Sequence, residues 1–412
     1  MTPTTPAGNP ASEPALAVDI ALHGTAVLGE RVLPGALVLV AQERIVYAGP
    51  AHRAPAHRAA EQVEHGGLIL PGLVDVHNHG GGGVSFPDCE DPQQALVAVQ
   101  EHRRHGTTTM LASLVTADPA TLRARVGMLA QLFRDGEIAG VHLEGPFISP
   151  ARKGAQNPAH ITGGDAELVA ELCALGGGAV ASMTVAPEAE DAHAVLDALA
   201  AGGAVPSLGH TDAGSEIMTA GIAAARRALA APHGRSALPS ATHLFNGMRP
   251  IHHRDPGPAL AALDAAARGE LLVEVIADGV HLAAETVAHV FAIAAPGSVL
   301  LITDAMAAAG MPDGQYSLGA LDVTVDGGVA TLTEGGSIAG GTAHLLDVVR
   351  FAVQEAGVDL GTAVAAASRT PARLLGAEGE IGELTAGARA DVVLVDEDLQ
   401  VLRVLRAGRD VV

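Results

Sequence analysis

Two histidines separated by a single residue, His77 and His79, are the first side chains in this sequence whose spacing suggests chemistry. Alternate residues of a β-strand face the same side, so this pair can present two imidazole nitrogens to one metal ion. Imidazole combined with carboxylate oxygen suits Zn²⁺, and it also suits Fe²⁺ or Mn²⁺. A histidine pair alone is a weak signal, because polar loops often contain such pairs. The metal-site prediction therefore needs ligands from elsewhere in the chain.

Four further ligand-type residues each stand near the end of a different apolar, strand-like run. They are Glu144, His210, His243 and Asp304. In a parallel α/β barrel the carboxyl ends of the strands meet on one face, where active sites form. We therefore predict that these four residues and the histidine pair converge on one site. By contrast, His102 and His105 lie in a helical stretch, and we expect both at the surface.

The elements that must position these residues are eight apolar runs rich in β-branched residues, which alternate with helical segments. The runs cover residues 73–79, 107–115, 138–146, 179–187, 204–211, 240–246, 271–281 and 298–306. Continuous apolar strands alternating with helices predict a parallel sheet that is covered on its faces, and eight such units fit a closed (β/α)₈ TIM-like barrel. A doubly wound open sheet is the alternative, but no GxGxxG motif follows the first run.

Segments at both ends of the chain have a different, short-strand pattern. We predict a small β-sandwich domain built jointly from residues 17–66 and 380–412, flanking a barrel of residues 67–379, with a disordered tail at 1–16. Within the barrel region, LDVTVDGGVATLT predicts a hairpin, and two helices are predicted at 343–357 and 361–375.

Composition excludes several classes of protein. The 412 residues are 48% hydrophobic and 17% charged, which is incompatible with a chain disordered throughout. The net charge of −22 argues against nucleic acid or an anionic membrane as partner, since both need basic surfaces. The two cysteines form no disulfide framework, and we find neither a signal peptide nor an apolar run of membrane-spanning length. We therefore expect a cytoplasmic protein.

Longer motifs give a more specific indication of function. In chain order they include PGLVDVHNHGGGG, HLEGPFIS, RKGAQNP, SLGHTDA, THLFNGMRPIHHRDPG, IADGVHL, LITDAMAAAG and GELTAGARADVVLVD. From about residue 17 to its end, the chain resembles the N-acetylglucosamine-6-phosphate deacetylases of the amidohydrolase superfamily. The resemblance implies a metal-dependent enzyme of amino-sugar metabolism. Its reaction would be hydrolysis of the acetamide of N-acetyl-D-glucosamine 6-phosphate to D-glucosamine 6-phosphate and acetate.

The resemblance also implies a ligand set. Glu144, His210 and His243 would hold the principal metal, with zinc favoured over iron or manganese. His77 and His79 would hold a second ion bridged by Glu144, although some relatives carry Gln-x-Asn there and bind one ion, so one or two ions are both open. Many amidohydrolases bridge two metals with a carboxylated lysine instead. The single lysine of this chain lies in a predicted loop after Glu144, which disfavours that arrangement.

Roles in catalysis follow from the same resemblance. Asp304 would take the proton of the attacking water and return it to the departing amine, while His281 stabilises the developing oxyanion. Gln156 stands where the family often has a histidine that contacts the substrate near its acetyl group.

Binding of the substrate phosphate is the other role that the resemblance implies. Asn246 and Gly247 would contact the phosphate, and Arg254 would grip it from the neighbouring subunit, so a homodimer is expected. The Gly-rich segment 337–342 is expected to form a turn, with its binding role open.

Two alternative functions are also compatible with the sequence. One is the same reaction on another N-acetylhexosamine 6-phosphate, such as the galactosamine isomer. The other is a sugar-phosphate-binding regulator without catalytic activity, which the intact Asp304 opposes, because binding alone does not need a proton-transferring carboxylate.

Overall fold

The computed structural model describes residues 15–230 and 235–411. The predicted disordered tail falls outside these ranges except for Ala15 and Leu16, and Leu16 already opens the first strand. The chain begins with four strands: β1 (Leu16–Leu28), β2 (Arg31–Ala41), β3 (Arg44–Pro50) and β4 (His57–Pro71).

Eight parallel strands alternating with helices follow, one strand in each of the eight predicted runs. In chain order this part comprises β5 (Leu73–Asp75), β6 (Gly80–Gly81), β7 (Val84–Ser85), α1 (Pro92–Arg104), β8 (Thr107–Leu114), α2 (Pro119–Arg134), β9 (Gly140–Glu144), α3 (Ala166–Gly176), β10 (Val180–Val185), α4 (Ala192–Ala201), β11 (Val205–Leu208), α5 (Ser215–Leu229), β12 (Ser240–Ala241), α6 (Gly257–Ala267), β13 (Leu272–Val275), α7 (Ala284–Ile293) and β14 (Val299–Leu301). The strands pair in the order β5-β8-β9-β10-β11-β12-β13-β14.

The ring closes just beyond β5 and β14. There the amide of His79 donates to the carbonyl of Ala305 at 2.7 Å, and the amide of Asp304 donates to the carbonyl of His77 at 2.9 Å. The predicted (β/α)₈ barrel is therefore confirmed, and the segments that complete it also carry candidate site residues.

Local sequence explains how the helices begin and why the strands are buried. The carboxylate of Asp118 accepts the amides of Ala120 and Thr121, and Pro119 occupies the first turn of α2, where no backbone donor is needed. Every residue of β8, β9 and β10 is buried. Burial on both faces removes the alternation of polar and apolar residues, as a helix-covered parallel sheet requires.

The remaining part of the chain is partly as predicted. It contains β15 (Gly314–Leu318), β16 (Leu321–Asp326), β17 (Val329–Leu332), α8 (Leu345–Gln354), α9 (Leu360–Ala366), α10 (Arg369–Leu374), β18 (Val392–Val395), β19 (Val401–Arg406) and β20 (Arg409–Asp410). The predicted hairpin is β16–β17, but β15 extends it to three strands. The second predicted helix is divided into two: α9 ends before Ala367, and α10 begins after Ser368.

Both chain ends contribute to one seven-stranded sheet, in the order β20-β19-β18-β4-β1-β2-β3. The C-terminal strand β18 lies antiparallel to β4, with Val393 opposite Leu70. The predicted fold class is confirmed: a barrel with a smaller β structure formed by both termini. The exact domain boundaries stay a prediction, and β4 runs across the one placed after residue 66.

One surface prediction is wrong. His102 is completely buried, and its Nε2 lies 2.8 Å from the carbonyl oxygen of Gly80, next to the histidine pair. The error arises because α1 packs against the β6–β7 hairpin, a contact that helical periodicity does not reveal. Among the described helices, none has both the length and the apolar character needed to cross a bilayer.

Candidate active site and metal centre

All six predicted metal and catalytic residues are buried and lie together at the carboxyl ends of barrel strands. They are His77 and His79 after β5, Glu144 at the end of β9, His210 after β11, His243 after β12, and Asp304 after β14. Their ligand atoms form two adjoining groups, each able to hold a metal ion.

The first group is centred on the carboxylate of Glu144. Its Oε1 lies 2.9 Å from Nε2 of His210 and 2.9 Å from Nε2 of His243. The two Nε2 atoms are 3.2 Å apart, and the ring planes cross at 78°. Three donor atoms therefore converge on one point from different directions, as the ligands of a tetrahedral site do.

The second group contains the histidine pair and Asp304. Nε2 of His77 and Nε2 of His79 are 3.1 Å apart, and Oδ1 of Asp304 lies 3.4 Å from the first and 3.3 Å from the second. Oε2 of Glu144 is 3.2 Å from Nε2 of His79, so this carboxylate lies between the two groups. The geometry allows Glu144 to bridge two ions.

The other nitrogen of each imidazole is occupied by a fixed acceptor. Nδ1 of His79 faces the carbonyl of Ser113, Nδ1 of His210 that of Arg152, and Nδ1 of His243 that of Asn246, whereas Nδ1 of His77 faces a carboxylate oxygen of Glu274. A proton on each Nδ1 leaves the Nε2 lone pairs facing one another and the carboxylates. Such lone pairs repel unless a cation lies among them, so the residues fit a bound divalent metal.

The pKa values of the site residues also show that positive charge is stabilised here. Burial lowers the pKa of His77, but the negative charges of Asp304, Glu144 and Glu274 outweigh it and raise that pKa to about 10. Burial also lowers the pKa of His79, and the neighbouring carboxylates raise it to about 8. Burial alone would raise the pKa of Asp304, yet the two histidines hold it below its ordinary value. Asp304 is therefore ionised at neutral pH.

The backbone at three of these residues adopts the left-handed conformation that side chains other than glycine rarely occupy. The φ angles are 46° at His210, 26° at His243 and 49° at Asp304. Residues held this way concentrate at functional sites, because the surrounding structure must compensate for the strain. The turn after each strand directs the side chain into the barrel mouth.

A cavity of about 320 Å³ opens beside these candidate metal ligands. Four of the five predicted substrate-binding residues line it, namely Gln156, Asn246, Gly247 and His281. The amide of Gln156 is fixed at both ends: its Nε2 donates to Glu144 at 2.6 Å, and its Oε1 accepts the backbone amide of Thr116 at 2.7 Å. A side chain at Gly247 would clash with the imidazole of His210, since an added Cβ would lie 2.8 Å from its Nδ1.

The fifth residue, Arg254, does not line this cavity in the single chain. Within residues 15–230 and 235–411 it forms no ion pair, and its backbone amide donates to Nδ1 of His252 at 3.3 Å. The site of one chain therefore lacks the predicted phosphate-gripping arginine.

One acidic residue of the site, Glu274, was not predicted from the sequence, whereas Asp278 stands with His281 among the polar residues that end the predicted run 271–281. Glu274 and Asp278 hold His77 and His281, with Oδ2 of Asp278 lying 2.7 Å from Nδ1 of His281. Burial would raise the pKa of Asp278, but the hydrogen bonds from His281 lower it below its ordinary value. Glu274 stands between two valines in the run LLVEVIADGVH, and an acidic residue in such an apolar run was an available signal. Ser337 and Ile338 also line the cavity, which gives the predicted Gly-rich turn a location in the site.

Comparison with known proteins agrees with this geometry. Residues 68–411 match the amidohydrolase family. The N-acetylglucosamine-6-phosphate deacetylase of Bos taurus is 37% identical over 83% of each chain, and the N-acetylgalactosamine-6-phosphate deacetylase of Escherichia coli O157:H7 is 34% identical over 83% of this chain and 87% of that one. The structure of a point mutant of the Mycobacterium smegmatis N-acetyl-D-glucosamine-6-phosphate deacetylase, in complex with N-acetyl-D-glucosamine-6-phosphate, has 40% sequence identity to this chain and a TM-score of 0.88, and it covers 96% of this chain and 100% of that one.

Proposed function

This chain belongs to the amidohydrolase family and within it to the N-acetylglucosamine-6-phosphate deacetylases, and from that membership we propose that it hydrolyses N-acetyl-D-glucosamine 6-phosphate to D-glucosamine 6-phosphate and acetate. The observation that carries the proposal is the position of Glu144, with Oε1 2.9 Å from Nε2 of both His210 and His243, at the base of a cavity that Asp304 also lines. Amide hydrolysis needs this combination of metal ligands and a neighbouring proton acceptor.

Glu144, His210 and His243 would hold the principal metal ion, and His77 with His79 would hold a second. Nitrogen and carboxylate donors favour zinc, with iron or manganese as alternatives. When bound, such a cation polarises the amide carbonyl and lowers the pKa of an adjacent water molecule.

Asp304 performs the proton transfers. As an ionised carboxylate it accepts the proton of the attacking water, and it then donates this proton to the nitrogen of the departing amine. His281 assists at the carbonyl oxygen. Oδ2 of Asp278 lies 2.7 Å from its Nδ1 and fixes the orientation of the imidazole ring for this role. Gln156 restrains Glu144 and forms part of the cavity wall beside it.

The phosphate is recognised at the outer part of the cavity. Asn246 and Gly247 contact it from the loop after β12, and Arg254 of a neighbouring subunit supplies the positive charge in a homodimer. Two observations support this arrangement: Arg254 lies outside the cavity of its own chain, and its guanidinium forms no ion pair with a described residue.

The buried, unbridged thiols of Cys89 and Cys173 support a cytoplasmic location.

The test is an assay of acetate release by the purified metal-loaded protein. We expect turnover of N-acetyl-D-glucosamine 6-phosphate at a kcat/KM at least about a hundredfold above that of unphosphorylated N-acetyl-D-glucosamine, because the phosphate contacts contribute several kcal/mol. Removal of the metal by a chelator should abolish turnover, and zinc should restore it. No acetate release, or turnover that survives complete metal removal, would reject the proposal.

A second substrate deserves the same assay, since a relative named as an N-acetylgalactosamine-6-phosphate deacetylase is 34% identical to this chain. The two sugars differ only in the configuration at C4. A higher kcat/KM for the galactosamine isomer would assign this chain to that reaction while leaving the chemistry unchanged. Binding of both sugar phosphates with no acetate release would instead identify an inactive binding protein.

A further inference from the structure

Glu274 is a buried acidic residue in the middle of the apolar strand β13, with 3% of its surface exposed. Its Oε2 lies 3.0 Å from Nδ1 of His77 and 3.2 Å from the backbone amide of His243. Among the ion pairs of the described residues, Glu274 pairs only with His77 and with no arginine or lysine. A buried carboxylate without such a partner is unfavourable, and this calls for a function.

The support given to His77 differs from that of the other three histidines. His79, His210 and His243 each have Nδ1 against a neutral backbone carbonyl. His77 alone among the four has Nδ1 against a charged carboxylate. A carboxylate that accepts the Nδ1 proton fixes the imidazole tautomer and increases the electron density at Nε2, so the histidine becomes a stronger metal ligand.

Glu274 also connects the two ligand groups. Through His77 it contacts the group containing His79 and Asp304, and through its hydrogen bond to the amide of His243 it contacts the group centred on Glu144. Its negative charge therefore compensates positive charge brought into either group. The effect of this charge is larger at His77, because there Glu274 contacts the imidazole ring itself.

We propose that Glu274 is a positioning residue that gives the His77–His79 pair enough affinity to hold a metal ion of its own, so that the site is binuclear. Glu274 does not touch this ion. It acts through His77, by keeping Nε2 directed at the ion and by supplying charge. The inference rests on the proposed metal-dependent function and names the residue that decides between one and two ions.

The experiment measures metal binding directly. Metal-free wild-type protein and the variants Glu274→Gln and Glu274→Leu are titrated with Zn²⁺ against a chromophoric chelator, and the bound metal is counted by mass spectrometry. We expect two equivalents in the wild type. In Glu274→Gln the weaker equivalent should lose affinity about 10- to 100-fold, the range for loss of a partner of a ligating histidine. The tighter equivalent should lose much less affinity, because Glu274 reaches its ligands only through the backbone amide of His243. In Glu274→Leu, which also loses the hydrogen bond, the loss should be larger.

Asp391→Asn is the matched control, because it also replaces a buried carboxylate by an amide but lies at the junction with the terminal sheet. It should retain both equivalents. His79→Asn should lose the same equivalent as Glu274→Gln, which identifies the position affected. Circular dichroism checks that each variant is folded, and the near-isosteric Gln variant decides the question if the Leu variant does not fold.

Three results would overturn the inference: a single equivalent in the wild type, unchanged affinities in Glu274→Gln, or an equal loss of both equivalents. None of these measurements uses a substrate. Failure of the proposed function would appear separately, as absent acetate release from a wild-type protein that still binds metal.

Discussion

Asp304 is surrounded by groups that stabilise its charged form, and this determines what its loss should do. His77 and His79 lie 3.4 and 3.3 Å from its Oδ1, whereas the proposed ligands of the principal metal ion are centred on Glu144. In the variant Asp304→Asn an amide cannot accept the proton of the attacking water. We predict a fall in kcat of at least about a hundredfold, in line with the contribution of a general base. Acetate release measures this fall.

Metal content is the control for that substitution. The tighter metal equivalent should remain in Asp304→Asn, because Glu144, His210 and His243 are untouched. An inactive variant that had also lost this equivalent would indicate a structural role, and a variant with near-normal kcat would show that another group moves the proton.

His102 offers a prediction about pH at the scale of one residue. Burial, reinforced by the nearby His344, lowers the pKa of His102 to about 3, whereas in the unfolded chain it would be about 6.5. Between these values the unfolded chain binds a proton that the folded chain does not. Stability is therefore fully present above the unfolded pKa and declines as the pH falls toward the folded pKa, by about 1.4 kcal/mol per pH unit.

The comparison is between wild type and His102→Gln, since the Gln amide does not titrate and its Nε2 takes the place of the imidazole Nε2 that donates to the carbonyl of Gly80. Urea unfolding measured from about pH 6 to about pH 4 should show a shallower decline in unfolding free energy for the variant, by about 1.4 kcal/mol per unit. If the unfolding free energies of the two proteins changed with pH in parallel, folding would not lower the pKa of His102.

At the scale of elements, the loop after β14 holds Asp304 against a second loop through close backbone contact. The amide of Gly341 donates to the carbonyl of Asp304 at 2.7 Å, and an added Cβ at Gly341 would lie 2.5 Å from the carbonyl oxygen of Thr303. The variant Gly341→Ala must therefore displace the backbone that carries Asp304. Because a shift of about 1 Å can reduce a rate about a hundredfold, we predict a large loss of kcat.

Gly66→Ala is the matched control, since an added Cβ there meets no atom within 4 Å. It should retain wild-type kcat and a similar melting temperature. Full activity of Gly341→Ala would mean that the two loops adjust independently of Asp304.

The same scale shows what the sequence could and could not predict. Eight strands were recognisable because a strand covered on both faces is continuously apolar, and the candidate metal ligands were recognisable because they follow those strands. The lengths of the strands could not be predicted in the same way, since only two residues of the run 240–246 form β12. The contact between His77 and Glu274 joins residues 197 positions apart, and a local pattern contains no information about such a pairing.

At the scale of the whole molecule, the net charge of −22 repels an anionic substrate, so local cations must overcome it. Within one chain, Arg152 and Arg249 both pair with Asp212, which reduces their availability. Arg254 has no such partner among the described residues. A dimer in which each chain lends Arg254 to the other would complete both sites through one symmetric interface.

Mixed dimers test this exchange. The variant Arg254→Ala keeps Asp304 but lends no arginine, and Asp304→Asn lends an arginine but has no base. Each alone should be nearly inactive at low substrate concentration. After the two are mixed and allowed to exchange subunits, half of the dimers are hybrids, and each hybrid contains one site with both residues. Activity should therefore rise to about a quarter of the wild-type value, because a symmetric dimer has two equivalent sites. If Arg254 served its own chain instead, every site in a hybrid would carry one defect, and mixing would give only the average of the two variants.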